Sequence, residues 1–257
     1  MGSCIVSVFR SSLLLLLGFG LSGQDSTADR IQALERELHQ QQRASKDWGG
    51  LIRYGSDNSE LPPPAKGENR VVFLGDQITD YWGRGNSQFF PGKRWLNRGI
   101  AGQTTDQMLI RFRQDVISLH PAAVVILGGL NDIAGLHGPV SEETALDNLI
   151  SMAELANANG IRVILASVTP VCDCFTKGVA RQRWQERILE VNELIEKYCD
   201  RTGAVYLDYY SAMGKEDNLK KELTNDGVLP NDAGYRVMAP LAEQALAKAI
   251  KTKAIQK

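Results

Sequence analysis

Four short stretches hold residues whose types and spacing could do chemistry: GDQIT (75–79), NRGIAGQTT (97–105), GGLND (128–132) and DGVLPNDAGY (226–235). The first follows the apolar run VVFL and presents Gln77 just past a Gly-Asp turn. A carboxamide has no proton to lose near neutral pH and is no nucleophile, so Gln77 can bind a ligand but cannot attack one. Gly102 offers a backbone N–H and Asn131 a side-chain amide, both hydrogen-bond donors. Each also has a plainer reading. Gly102 would suit a turn with positive φ, and Asn131 after two glycines would suit a turn as well. Asp76 could brace its own turn by accepting N–H bonds, and Asp226 could cap the helix that follows it.

Few other groups could supply a nucleophile or a base. The histidines are His39, His120 and His137. His39 falls in an N-terminal helical pattern, and His120 precedes an apolar run and so belongs to the opposite end of any sheet. His137, in the loop after Asn131, is the candidate for a replacement base. Thr79 lies two residues beyond Gln77 and is expected to point elsewhere. Cys172 and Cys174 follow a strand on the correct side, but without a base they are expected to be packed or oxidised. Water activated by Asp76 or Asp226 would give only slow hydrolysis. No His/Cys pair has ligand spacing, so neither metal nor cofactor is expected. The glycines after the first strand are misplaced for a dinucleotide loop, and no phosphate-binding Gly-Lys-Ser/Thr occurs.

The elements that must position these loops are legible as well. VVFL (71–74), AVVIL (123–127), RVILASV (162–168) and AVYL (204–207) are apolar without alternation, as strands covered on both faces are. Helical patterns separate them. Ser141 followed by Glu142 and Glu143 opens one, which Gly160 closes. Trp184, Ile188, Val191, Ile195 and Tyr198 mark another, and a last one starts near Asn231 or Asp232. Such alternation predicts a three-layer α/β/α sandwich with a central parallel sheet, whose functional loops leave the strands' C-terminal ends. Upstream, Ile31, Leu34 and Leu38 form a weak helical stripe, and Tyr54–Asn69 contains LPPPAKGEN, which cannot be regular structure and reads as an ordered lead-in.

The chain has 257 residues and a formal net charge of -1. That suits one α/β domain and gives no basic stripe for nucleic acid. Residues 1–23 resemble a cleaved secretory signal: a short region ending in Arg10, then SSLLLLLGFGL, too short to span a bilayer. Secretion or a periplasmic location is therefore expected, with no stable membrane span after cleavage. No Cys sits at the cleavage point, which argues against a lipoprotein. The expected divisions are 1–23, an N-terminal helix and Pro-rich lead-in over 24–69, a catalytic-type domain over 70–251, and a tail at 252–257. Loss of the leader leaves Cys172, Cys174 and Cys199, an odd number. A Cys172–Cys174 bridge is expected to be strained by its closeness, and pairing of either with Cys199 stays open.

Taken in order, the four motifs resemble those of the GDSL, or SGNH, ester hydrolases, a flavodoxin-like α/β family. The similarity is greatest to the bacterial acyl-esterase branch related to platelet-activating-factor acetylhydrolase α subunits. It covers roughly Asp47 to Ile250. The resemblance places Gln77 where the family has its nucleophilic serine and Leu229 where it has its histidine base. It makes Asp226 the retained triad acid, and the Gln77 backbone, Gly102 and Asn131 the oxyanion hole. Leu130 stands where a threonine or another small residue is usual. The implied protein is a secreted homologue of ester hydrolases, impaired in catalysis, that keeps the hole for an acyl, acetyl or carboxylate ligand. Its partner would be a small acyl ester, an acetylated glycan or a lipid-derived molecule. The alternative is an active esterase using His137 or an Asp-activated water. Homodimer formation stays open, since acetylhydrolase-like relatives often pair.

Overall fold

In the computed structural model, residues 29–36, 46–138, 140–175 and 182–251 are described. The expected leader, the tail and His39 lie outside them. The chain divides into two units, 1–46 and 47–257. In the first, residues 29–36 are helical, with Ile31 and Leu34 exposed and Arg36 bonded back to Gln32.

The second unit is built on five parallel strands: β1 (Val71–Gly75), β2 (Trp95–Gly99), β3 (Ala123–Leu127), β4 (Arg162–Ala166) and β5 (Val205–Leu207). Their order is β2-β1-β3-β4-β5. β1 and β3 are buried along their whole length, which is why their sequences do not alternate. The sheet therefore reverses its direction of growth at β1, and the loops after β1, β2 and β3 leave from neighbouring strand ends.

Helices flank the sheet. Helices α3 (Thr105–Asp115), α5 (Glu142–Ala158) and α6 (Gln182–Thr202) pack side by side, while α8 (Asp232–Lys251) lies across β3, β4 and β5. Short helices α2 (Gln77–Asp80), α4 (Leu130–Ile133) and α7 (Tyr209–Met213) follow β1, β3 and β5 directly. Ser141 caps α5 by accepting from the N–H of Thr144, and Gly160 ends that segment with a φ of 71°. Ile188, Val191, Ile195 and Tyr198 form the buried stripe of α6.

LPPPAKGEN forms no helix or strand, as expected, and the lead-in is ordered. The lead-in contains a helix, α1 (Gly55–Glu60), which stops at Leu61 because a residue before proline avoids the helical region. The lead-in is also fastened to the domain. Gln103, Gln107 and Gln114 donate their amides to the carbonyls of Gly49, Trp48 and Leu51, and the Tyr54 hydroxyl donates to Gly99 O at 2.5 Å.

The structure settles the cysteine pairing that the sequence left open. Cys172 and Cys174 are bridged, with Cα atoms 5.3 Å apart, inside the usual disulfide range. The intervening chain is irregular. Cys199 is free on the buried face of α6, where burial pushes its thiol up to about 12.

Candidate functional site

The loop after β1 is a tight turn enforced by glycine. A Cβ on Gly75 would stand 2.2 Å from the Thr79 hydroxyl and 2.6 Å from Leu127 O. Thr79 is thus turned inward onto the strand, as its place in the sequence suggested. A Cβ on Gly99 would lie 2.1 Å from the Asp80 nitrogen, so β2 and α2 approach closely only because that residue lacks one.

Asp76 caps α2: its Oδ1 accepts from the Ile78 N–H at 2.9 Å. It braces its own turn. The side chain is buried and Oδ2 has no hydrogen-bond partner. Burial and, to a lesser degree, the charge of nearby Asp132 push its carboxyl up to about 7, against the pull of the Ile78 N–H. Asp132, also raised by burial, accepts from the hydroxyl and the N–H of Thr105.

Gln77 begins α2, so its own N–H has no partner within the helix. Its side chain turns toward the loops after β2 and β3. Oε1 accepts from the Gly102 N–H at 3.1 Å and from Asn131 Nδ2 at 2.8 Å, while Nε2 donates to Asn131 Oδ1 at 3.1 Å. Asn131 Nδ2 also donates to Gln103 O at 2.8 Å, which fixes its orientation. Gly102 has a φ of 81°, so the turn reading of this glycine holds together with its role as a donor. Three sequence-predicted residues are therefore brought together, with two donors converging on one oxygen.

Buried Arg111 locks the loops that carry these groups. Its guanidinium donates to Gly75 O, Arg98 O, Gln103 Oε1 and Asp115 Oδ2 at 2.5–3.0 Å. Burial lowers its pKa, and Asp115 raises it. Nothing in its helical spacing distinguished Arg111 from an ordinary surface arginine.

The fourth motif is arranged differently. Asp226 Oδ1 accepts from the N–H groups of Val228 and Leu229 at 2.8 and 2.7 Å. It caps its own exposed turn and not the helix that follows. That helix is capped by Asn231, whose Oδ1 accepts from the N–H groups of Ala233 and Gly234. The turn rests on the disulfide loop: Cys172 N–H donates to Gly227 O at 2.8 Å. Leu229 lines a cleft with Tyr81, Arg84 and Arg236. His137 is exposed in the loop after α4, next to Leu136, which lies against Gly102. His120 sits before β3, at the far end of that strand.

The model of the GDSL-like Lipase/Acylhydrolase family matches residues 73–237, a span that contains all four motifs. The chain belongs to the GDSL-like lipase/acylhydrolase family. A GDSL-like lipase from Bacteroides thetaiotaomicron is 41% identical, covering 78% of this chain and 98% of its own, with a TM-score of 0.73. An assigned acylhydrolase from Bacteroides fragilis is 40% identical, covering 79% of this chain and 99% of its own, with the same TM-score of 0.73. Among curated proteins, an uncharacterised lipoprotein of Bacillus subtilis is 36% identical over 81 residues, 30% of this chain. The matched stretch spans 33% of that relative's length. Within the GDSL-like fold, the residues brought together here occupy the loops after β1, β2 and β3, at the reversal of the sheet. Sequence reasoning missed Arg84 and Arg236, although Arg84 lies in DYWGRG, directly after the GDQIT stretch it did single out.

Proposed function

We propose that this chain is a secreted or periplasmic member of the GDSL-like family that binds an acyl, acetyl or carboxylate group without hydrolysing it. One observation carries the reading: the Gln77 carboxamide oxygen already takes both the Gly102 N–H and the Asn131 amide. Those are the donors an oxyanion would need. The family's serine and histidine positions are then Gln77 and Leu229, an amide and an alkyl chain, and neither can move the proton that acyl transfer requires. Asp226 has no imidazole to orient and caps its turn instead. Loss of a nucleophile or base in a serine hydrolase costs on the order of 10⁶ in turnover.

A ligand carbonyl would enter by exchange. It takes over the two donors as the Gln77 side chain swings out, and the freed amide can then bond to the ligand. The ligand is a small acyl ester, an acetylated glycan or a lipid-derived molecule. The working-esterase alternative, with His137 as base, is not favoured, because the group that meets the hole donors is the Gln77 amide, which is no nucleophile. The test is covalent trapping: the chain is incubated with a fluorophosphonate and its intact mass is measured. No adduct is expected, and stoichiometric labelling at a residue near Gln77 would overturn the reading.

A further inference from the structure

A cleft of about 650 Å³ lies between the end of α2 and the start of α8. That is the size of a small-molecule site. Its position is fixed from both sides. The Tyr235 hydroxyl donates to Ile78 O at 2.9 Å, and its ring stacks on Trp82 with centroids 5.1 Å apart, which pins α8 to the turn of α2. Tyr81, on the cleft wall, is one helical turn from Gln77, about 6 Å along the axis.

The charges of the cleft are unequally engaged. Its carboxylates are occupied by backbone: Asp226 accepts from the N–H groups of Val228 and Leu229, and Asp232 Oδ1 accepts from the Ser87 N–H at 3.1 Å. The guanidiniums are less committed. Arg84 gives one nitrogen to Asp80 and lies over the Tyr81 ring, 4.9 Å from its centroid, which leaves the rest of its fork available. Arg236 is exposed, and among the described residues no hydrogen bond or ion pair engages it. The N-terminus of the 20-residue helix α8 opens onto the same space and adds its positive end. A planar fork with free donors matches the paired oxygens of a carboxylate or phosphate.

We propose that this cleft is a subsite for the oxyanion group, carboxylate or phosphate, of a small polar ligand whose other end reaches Gln77 and Asn131. The proposal rests on the binding reading above and adds a charge requirement to it. Leu229 and Pro230 give the ligand's body an apolar wall, and Arg84 and Arg236 hold its charged end.

The test is isothermal titration of the full chain with three probes that share one sugar ring: D-glucuronate, glucose 6-phosphate and glucose. At least one anionic probe is expected to bind roughly tenfold tighter than glucose, the worth of a charge-assisted hydrogen bond. Arg236→Gln and Arg84→Gln, both at exposed guanidiniums, are each expected to erase most of that preference. Which anion wins identifies the source of the oxyanion. Equal binding of all three probes, or a preference untouched by both substitutions, would overturn the subsite. Hydrolysis of an aryl ester by the unmodified chain would overturn the non-catalytic reading instead, and the anion preference would still be measured separately.

Discussion

Gln77 and Asn131 exchange two hydrogen bonds, Nε2 to Oδ1 at 3.1 Å and Nδ2 to Oε1 at 2.8 Å, across the ends of neighbouring strands β1 and β3. The pair is closed on itself, and the Gly102 N–H completes it. A serine at position 77 would leave these donors open to a ligand; the longer glutamine fills the space with its own carbonyl. On the reading proposed above, the same residue removes the nucleophile and occupies the hole.

Emptying the hole is predicted to be tolerated. In Gln77→Ala the Gly102 N–H loses its partner, but Asn131 Nδ2 keeps Gln103 O, and water can reach the half-buried site. A loss of about 1–2 kcal/mol in urea unfolding is expected. A loss above about 4 kcal/mol would mean that Gln77 is a core strut and not a displaceable occupant.

Asp76 should make the fold less stable as pH rises. Its folded carboxyl titrates at about 7, whereas an unfolded aspartate titrates near 3.9. Between these values unfolding releases a proton, so stability falls with rising pH through that window and levels off above it. The full span is on the order of 4 kcal/mol. Asp76→Asn keeps an oxygen for the Ile78 N–H and is predicted to flatten this dependence, as read from urea midpoints at pH 5 and pH 8. An unchanged slope would show that Asp76 is ionised throughout.

The glycines should rank by their surroundings. Gly102→Ala meets only Leu136 at 3.7 Å, so its cost is the left-handed backbone, about 1–2 kcal/mol. Gly227→Ala adds a Cβ 2.3 Å from Cys172 O, at a φ of 91°, and must displace backbone. Thermal melts should show the larger drop for Gly227→Ala; the reverse order would refute the close docking of that turn on the disulfide loop.

Removing the bridge should cost little by itself. Closing so short a loop restricts the unfolded chain by only about 1.5 kcal/mol on the chain-entropy account. Cys172→Ser/Cys174→Ser is therefore predicted to fold with a slightly lowered midpoint, and the buried Cys199 thiol should stay unreactive to a thiol reagent until denaturant is added. Rapid labelling of Cys199 in native buffer would contradict its place in the core.

Much of this molecule could be read before its coordinates. The uniform burial of β1 and β3 leaves its mark as apolar runs, and the order of the strands brings Gln77, Gly102 and Asn131 to one place. What stayed hidden depends on side-chain direction. No spacing reveals that the Gln77 amide folds into the gap beside it, or that Arg111 turns inward to bond two strand carbonyls, Gln103 and Asp115. The prolines marked LPPPAKGEN as irregular, whereas α1, just before that run, buries no residue and so leaves no apolar stripe to read. The pairing of Cys172, Cys174 and Cys199 stayed open because spacing in sequence does not give Cα distances, and that of the bridged pair is 5.3 Å.

The most direct measurement is hydrolysis of p-nitrophenyl acetate and butyrate by the unmodified chain beside Gln77→Ser, Leu229→His and the two combined. The unmodified chain and both single variants are predicted to stay near background. The double variant should gain activity by about 10³-fold or more, because nucleophile and base act as one unit. Enzymatic turnover by the unmodified chain would contradict the account at its centre.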